Sequence, residues 1–284
     1  MPPKFFDIHT HAHFAAFDED RYAVMLRARE AGIAMINVGT DQGTSLAAIL
    51  LAEKYDNAYA TVGLHPIHTD KETYHDKNER SASTHETSKD GEVFDEVYYR
   101  TFASHKKVVA IGECGLDYFR LNEDTKQKQI EAFEAQIAFA NELGKPLMLH
   151  IRNAYKDAYD VLKKNAVVKG NVHFFAGTWD EAKLFLDLGF TLSFTGVITF
   201  ARQYDEVIKN MPLDMLMSET DAPYVAPVPY RGKRNEPIYV IEVVKKIAEI
   251  RGESYEKVRE TLAGNAVRFF RIDGIRENVQ KIVF

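Results

Sequence analysis

Short apolar runs alternate with amphipathic stretches along most of the chain. Residues 18–31 carry Tyr22, Met25, Leu26 and Ala28 at helical spacing between charges and stop at Gly32, after which Ala34-Met-Ile-Asn-Val38 reads as a buried strand. The step then recurs. A helix over 46–55 leads to a strand over 58–63, a strand over 108–112 to a helix over 125–143, and a strand over 146–151 to a helix over 154–164. Strands over 171–175, 191–194 and 215–219 follow, with helices over 179–188, 203–209, 239–250 and 255–270. Counting the opening Phe5-Phe6-Asp7-Ile8-His9, the pattern predicts eight strands, each followed by a helix, hence an α/β chain closed as a TIM (β/α)8 barrel. One domain over 1–284 is expected, interrupted by a polar insertion at about 70–92. Its centre, 76–90, holds no hydrophobic residue but Ala82, so it is expected to be mobile, beside the mouth of the barrel.

Composition narrows the classes. Hydrophobic residues at 45% and charged residues at 27% of 284 are those of a globular protein. No apolar run approaches the roughly eighteen residues of a membrane span, and no secretory leader is visible, so a soluble, cytoplasmic protein is expected. The single cysteine, Cys114, excludes an internal disulfide and fits a reducing compartment. A net charge of -6 argues against a broad basic nucleic-acid face. A phosphate-bearing partner would therefore be gripped locally.

The candidate chemistry lies where polar residues interrupt apolar runs. In the first strand Asp7, His9 and His11 share a face. His65 ends strand three, Glu113 strand four and His150 strand five; His173 lies in strand six, and Asp221 follows strand eight. Taken singly, each has an ordinary reading, as a hydrogen-bonded core histidine or a helix cap. Taken together, a barrel brings all of them to one pocket, where imidazoles and carboxylates suit one or two divalent cations. His13, His68, His75, His85 and His105 fall in polar loops or helix ends and read as solvated. Arg231, Lys233 and Arg234, after the proline-rich loop, read either as phosphate contacts or as an ordinary charged loop.

The ordered set His9-x-His11, Gly-Leu-His65-Pro, Gly-Glu113-Cys-Gly-Leu-Asp117-Tyr, Leu-His150-Ile-Arg152, His173-Phe-Phe-Ala-Gly, Glu219-Thr-Asp221-Ala-Pro-Tyr and Gly264-Asn-Ala-Val-Arg268 resembles the TatD-type metal-dependent hydrolases, a deoxyribonuclease branch of the amidohydrolase superfamily. The resemblance implies a TIM barrel, two divalent metal ions (Mg, Mn or Zn) and hydrolysis of DNA phosphodiesters, often from the 3′ end. It further implies His9 and His11 as ligands of a first metal, Glu113 as the bridge, and His150 and His173 as ligands of a second. Asp221 would be both a first-metal ligand and the base; His65 and Arg152 would contact the scissile phosphate. Asp7 and Glu219 read as acids behind the ligands, and Asp117 as a loop-fixing carboxylate. The chain departs from the family pattern at Phe174-Phe-Ala-Gly177 and at Asn153. DNA strand ends are the implied partner, with the oligomeric state open and a monomer compatible with it. Two other readings stand beside this one: a hydrolase of a small amide, ester or lactone, and an idle scaffold.

Overall fold

The computed structural model describes residues 2–70, 76–79, 91–120 and 125–272. Eight parallel strands run in sequence order around one sheet: β1 (Phe5–Thr10), β2 (Ile33–Val38), β3 (Ala58–Val62), β4 (Val108–Asp117), β5 (Leu147–Arg152), β6 (Gly170–Val172), β7 (Thr191–Phe194) and β8 (Leu216–Ser218). The intervening helices are α1 (Arg21–Glu30), α2 (Gln42–Lys54), α3 (Glu96–Ala103), α4 (Lys126–Leu143), α5 (Tyr155–Asn165), α6 (Trp179–Asp187) and α7 (Asp205–Asn210), and α8 (Val240–Arg251) and α9 (Tyr255–Phe269) close the chain. The expected barrel is what forms. None of the described helices is long and apolar enough to cross a membrane.

Local chemistry sets the phase of each step. Asp41 caps α2, its Oδ1 accepting from Thr44 N at 2.8 Å, while the Thr44 hydroxyl bonds back to Asp41 N; such a cap is worth about 1 kcal/mol. Thr178 and Glu181 form the same reciprocal pair at α6. The larger apolar cluster joins strands to helices, and a smaller one packs Phe6, Ile36, Met148 and Met217 against Val267 and Phe270 at α9.

Three elements sharpen or depart from expectation. Helix α3 fills the step after β3, for which the sequence pattern calls for a helix without assigning it residues. Strand β6 stops at Val172, leaving His173 just beyond it. Strand β4 runs past Glu113 to Asp117, with a register shift against β5 between Ile111 and Cys114. Glycine makes that continuation possible: Gly112 and Gly115 have φ of +143° and +140°, and a Cβ there would lie 2.3 Å from Met148 O and 2.0 Å from His150 O.

The seam between the last strand and the first is tied rather than laddered. Asp221 N donates to His9 O and His11 N to Ala222 O, each at 2.8 Å. The buried Asp7 carboxylate accepts from Thr220 N at 2.8 Å and from the Thr220 hydroxyl at 2.5 Å. Ser218 Oγ donates to Phe6 O at 3.1 Å.

Candidate metal centre

The residues singled out in the sequence meet at the C-terminal face of the barrel. His9 Nε2 lies 3.2 Å from His11 Nε2 and 3.4 Å from Glu113 Oε2, and Asp221 Oδ1 is 3.4 Å from His11 Nε2. On the other side of Glu113, Oε1 is 3.0 Å from His173 Nε2, 3.1 Å from His150 Nδ1 and 3.4 Å from His65 Nε2. Each Glu113 oxygen thus faces its own group of imidazoles. The cavity above them, of about 440 Å3, is lined also by Phe14, Arg120, Arg152, Phe174 and Tyr224.

The groups behind these imidazoles fix which nitrogen carries the proton. His11 Nδ1 lies 2.8 Å from Val38 O, an acceptor only, so Nδ1 holds the hydrogen and Nε2 turns a lone pair inward. His150 Nε2 lies 2.9 Å from Asp117 Oδ2, which leaves His150 Nδ1 as an inward lone pair, and the Glu219 carboxylate stands 3.4 Å from His173 Nδ1, behind the ring. His65 is the reverse. Its Nδ1 accepts from Ile67 N at 3.1 Å, so its inward Nε2 is a donor. Two imidazole nitrogens facing each other at 3.2 Å, beside two carboxylates, make a donor set that a divalent cation would satisfy. The residues present fit such ions: His9, His11, Glu113 and Asp221 on one side, Glu113, His150 and His173 on the other.

Against burial, the carboxylates around them raise His11, His150 and His173 above the usual imidazole range, so a cation would compete with protons for these nitrogens. Burial alone would raise Glu113, but His65, His9, His173 and His150 around it hold it well below the usual carboxylate range. Burial likewise opposes Asp221, and His11 beside it with the other nearby imidazoles keeps it lowered. Burial, with His150 alongside, pushes His65 down to about 4, which keeps it a neutral N–H donor. Asp7 is different. Burial raises it well above the usual range, and no site imidazole offsets that. It binds Thr220, next to Asp221, rather than a ligand ring.

A family model described as TatD related DNase matches residues 6–271. The chain belongs to the TatD-related DNase family. The metal-dependent hydrolase YabD of Bacillus subtilis is 36% identical over 94% of this chain and 99% of its own length. The 3'-5' ssDNA/RNA exonuclease TatD of Pectobacterium parmentieri is 35% identical over 94% and 99%. Among solved structures, the TatD homologue YjjV of Escherichia coli superposes with a TM-score of 0.80 at 28% identity, over 95% of this chain and 99% of its own.

Within this TatD-family chain several residues carry more than the sequence reading gave them. Asp117 does fix its loop, Oδ1 accepting from Phe119 N at 2.8 Å and Arg120 N at 2.9 Å, but its other oxygen holds His150. The signal was present: Asp117 lies four positions beyond Glu113, on the same strand face, once β4 continues through Gly115. Glu219 accepts from Ser193 Oγ and Phe174 N, each at 2.7 Å, and lies 3.4 Å from His173 Nδ1.

Part of the insertion is not a free loop. Residues 80–90 lie outside the described residues, as do His75 and His85, but 76–79 dock on the cavity wall. Asp76 accepts from the Tyr224 hydroxyl at 2.8 Å, and Glu79 contacts Thr40 Oγ1 and lies 3.2 Å from His68 Nε2. Burial alone would raise Glu79; His68 and the Thr40 hydroxyl hold it down at about 2. His68 is therefore a wall residue, not a solvated one. His13 is also buried, and burial with His11 and Arg21 beside it keeps it well below the usual imidazole range. His105 is half-buried and lies 3.1 Å from Glu53. Four of the five non-glycine residues with left-handed φ among the described residues lie on this face, Asn153 (54°), Phe174 (44°), Asp221 (55°) and Val225 (51°), all after strand ends; the fifth, Arg271, follows α9.

Proposed function

We propose that this protein is a divalent-metal-dependent nuclease that removes nucleotides from 3′ ends of DNA by hydrolysis. The observation that carries the reading is the division of the imidazoles: His11 and His150 turn lone pairs to the centre, while His65 turns a hydrogen to it. A lone pair serves a cation, and a neutral N–H serves a phosphate oxygen. Bound divalent ions would polarise the phosphate and acidify a water. Asp221, held ionised and with Oδ1 facing the cavity, accepts that water's proton as its oxygen bonds to phosphorus and the bond to the leaving oxygen breaks. His65 Nε2–H and the Arg152 guanidinium bind and orient the phosphate. Relatives named as an exonuclease and as a metal-dependent hydrolase support this reading over most of their length. The net charge of -6 suits a strand end gripped in one cavity better than tracking along duplex.

Release of nucleotides from 3′-labelled single-stranded DNA, with Mg2+ or Mn2+, with chelator, and with Asp221→Asn in parallel, tests it. Release should require metal and fall by about 10²- to 10⁴-fold in the variant. Wild-type protein that binds metal yet is inert on DNA would overturn the phosphodiester assignment and favour a small carbonyl substrate.

A further inference from the structure

Five arginine guanidinium groups lie over phenylalanine rings among the described residues, and two of them differ from the rest. Arg100 over Phe139, Arg234 over Phe17 and Arg259 over Phe5 each cover a buried ring, at 5.2, 4.4 and 6.0 Å from its centre. Each of the three is also bonded to a carboxylate: Glu142, Asp20 and Glu260 respectively. Arg152 over Phe119 and Arg231 over Phe200 are closer, at 3.8 and 3.6 Å, and their rings are 60% and 38% exposed. Neither has a carboxylate partner among the described residues. These are also the two phenylalanines among the described residues that are exposed at all strongly.

Both pairs belong to the face that bears the metal centre. Phe119 follows β4 and Arg152 ends β5, its guanidinium reaching into the cavity. Phe200 and Arg231 come from the connections after β7 and β8, which are tied together where Val228 N donates to Thr199 Oγ1 at 2.9 Å. Strand β6 separates the two pairs. A solvent-facing ring backed by an uncompensated cation offers a base a face to stack on and the adjoining phosphate a charge.

We propose that Phe119 with Arg152, and Phe200 with Arg231, are two stacking platforms that grip unpaired nucleotides flanking the scissile bond, selecting single-stranded ends. The proposal rests on the nuclease reading. A base in a duplex is already stacked and paired on its neighbours, so it cannot offer both faces to the rim.

The test compares two strands of equal length and charge: an oligothymidylate, and one in which the bases flanking the scissile bond are replaced by abasic tetrahydrofuran units. Wild type should bind and cleave the base-bearing strand more tightly. Phe119→Leu and Phe200→Leu, which keep apolar bulk without a π face, should each raise KM, and Kd by fluorescence anisotropy, by about 5- to 100-fold on that strand and leave the abasic strand unchanged. Phe119→Tyr and Phe200→Tyr should restore wild-type values. Leucine variants with unaltered KM and Kd on oligothymidylate would overturn the platforms while the nuclease assignment stood. Wild type inert on both strands would overturn the two readings together. Equal losses on both strands would show the rings to be structural and would also overturn the proposal.

Discussion

His9, Glu113 and His150 hang from strands, and His11 and His173 from the first residue beyond one, whereas Asp76, Phe119, Phe200 and Arg231 hang from the connections between elements. On the floor of the cavity a second group stands behind His11, His150 and His173, and the strands themselves are locked by their ladders. On the rim, Phe119 and Phe200 are held mainly by the backbone and one arginine. If the proposed roles hold, the bond-breaking chemistry and the choice of strand rest on separable parts. Floor changes should alter rate on every substrate, and rim changes should alter which substrate is taken.

The largest effect that would sharpen this contrast is expected at Glu113. Glu113→Gln keeps the shape but removes the charge shared by both imidazole groups, so metal per chain after dialysis and turnover on any strand should both fall more than 100-fold, beyond what changing a group behind a ligand costs. Retained metal and turnover would break the picture of a shared carboxylate. Next comes Asp117→Asn. Its remaining oxygen still accepts from Phe119 N and Arg120 N, but the amide cannot accept from His150 Nε2. Metal titration should show about 10- to 100-fold weaker binding of one of two ions, with the melting temperature of the metal-free protein little changed.

The smallest effect on turnover belongs to Glu79, on the rim. Its carboxyl is held at about 2 against an ordinary 4.5, so the ionised form stabilises the fold above pH 4.5 and that contribution is lost as pH falls toward 2. Urea unfolding should therefore find Glu79→Gln less stable than wild type by about 1–3 kcal/mol at pH 7, with the gap closing below pH 4.5. Turnover should stay within about threefold at neutral pH, since Glu79 bonds to Thr40 and His68 and to none of the donor set. A collapse of turnover would move this residue from rim to floor.

The floor was legible in the sequence and the rim was not, for a physical reason. A polar residue at the end of an apolar strand violates the local pattern, and His9, Glu113, His150 and Asp221 each announce themselves that way. Asp117 was hidden because two glycines made β4 look finished at Gly112, whereas they permit it to continue. His13, His68 and Glu79 sit in polar stretches, where burial depends on contacts across the fold that no local pattern encodes. Phe119 and Phe200 look like any other aromatic in the sequence. What distinguishes them, exposure and an arginine without a carboxylate, exists only in three dimensions.

The tied seam also sets a timetable. His9 and His11 leave the ribosome well ahead of Asp221, since the groups that position them beside it lie about 200 residues later along the chain. At roughly 5–20 residues per second the first strand waits some 10–40 s for its neighbour across the seam. Until then the chain holds two imidazoles without their opposing carboxylate.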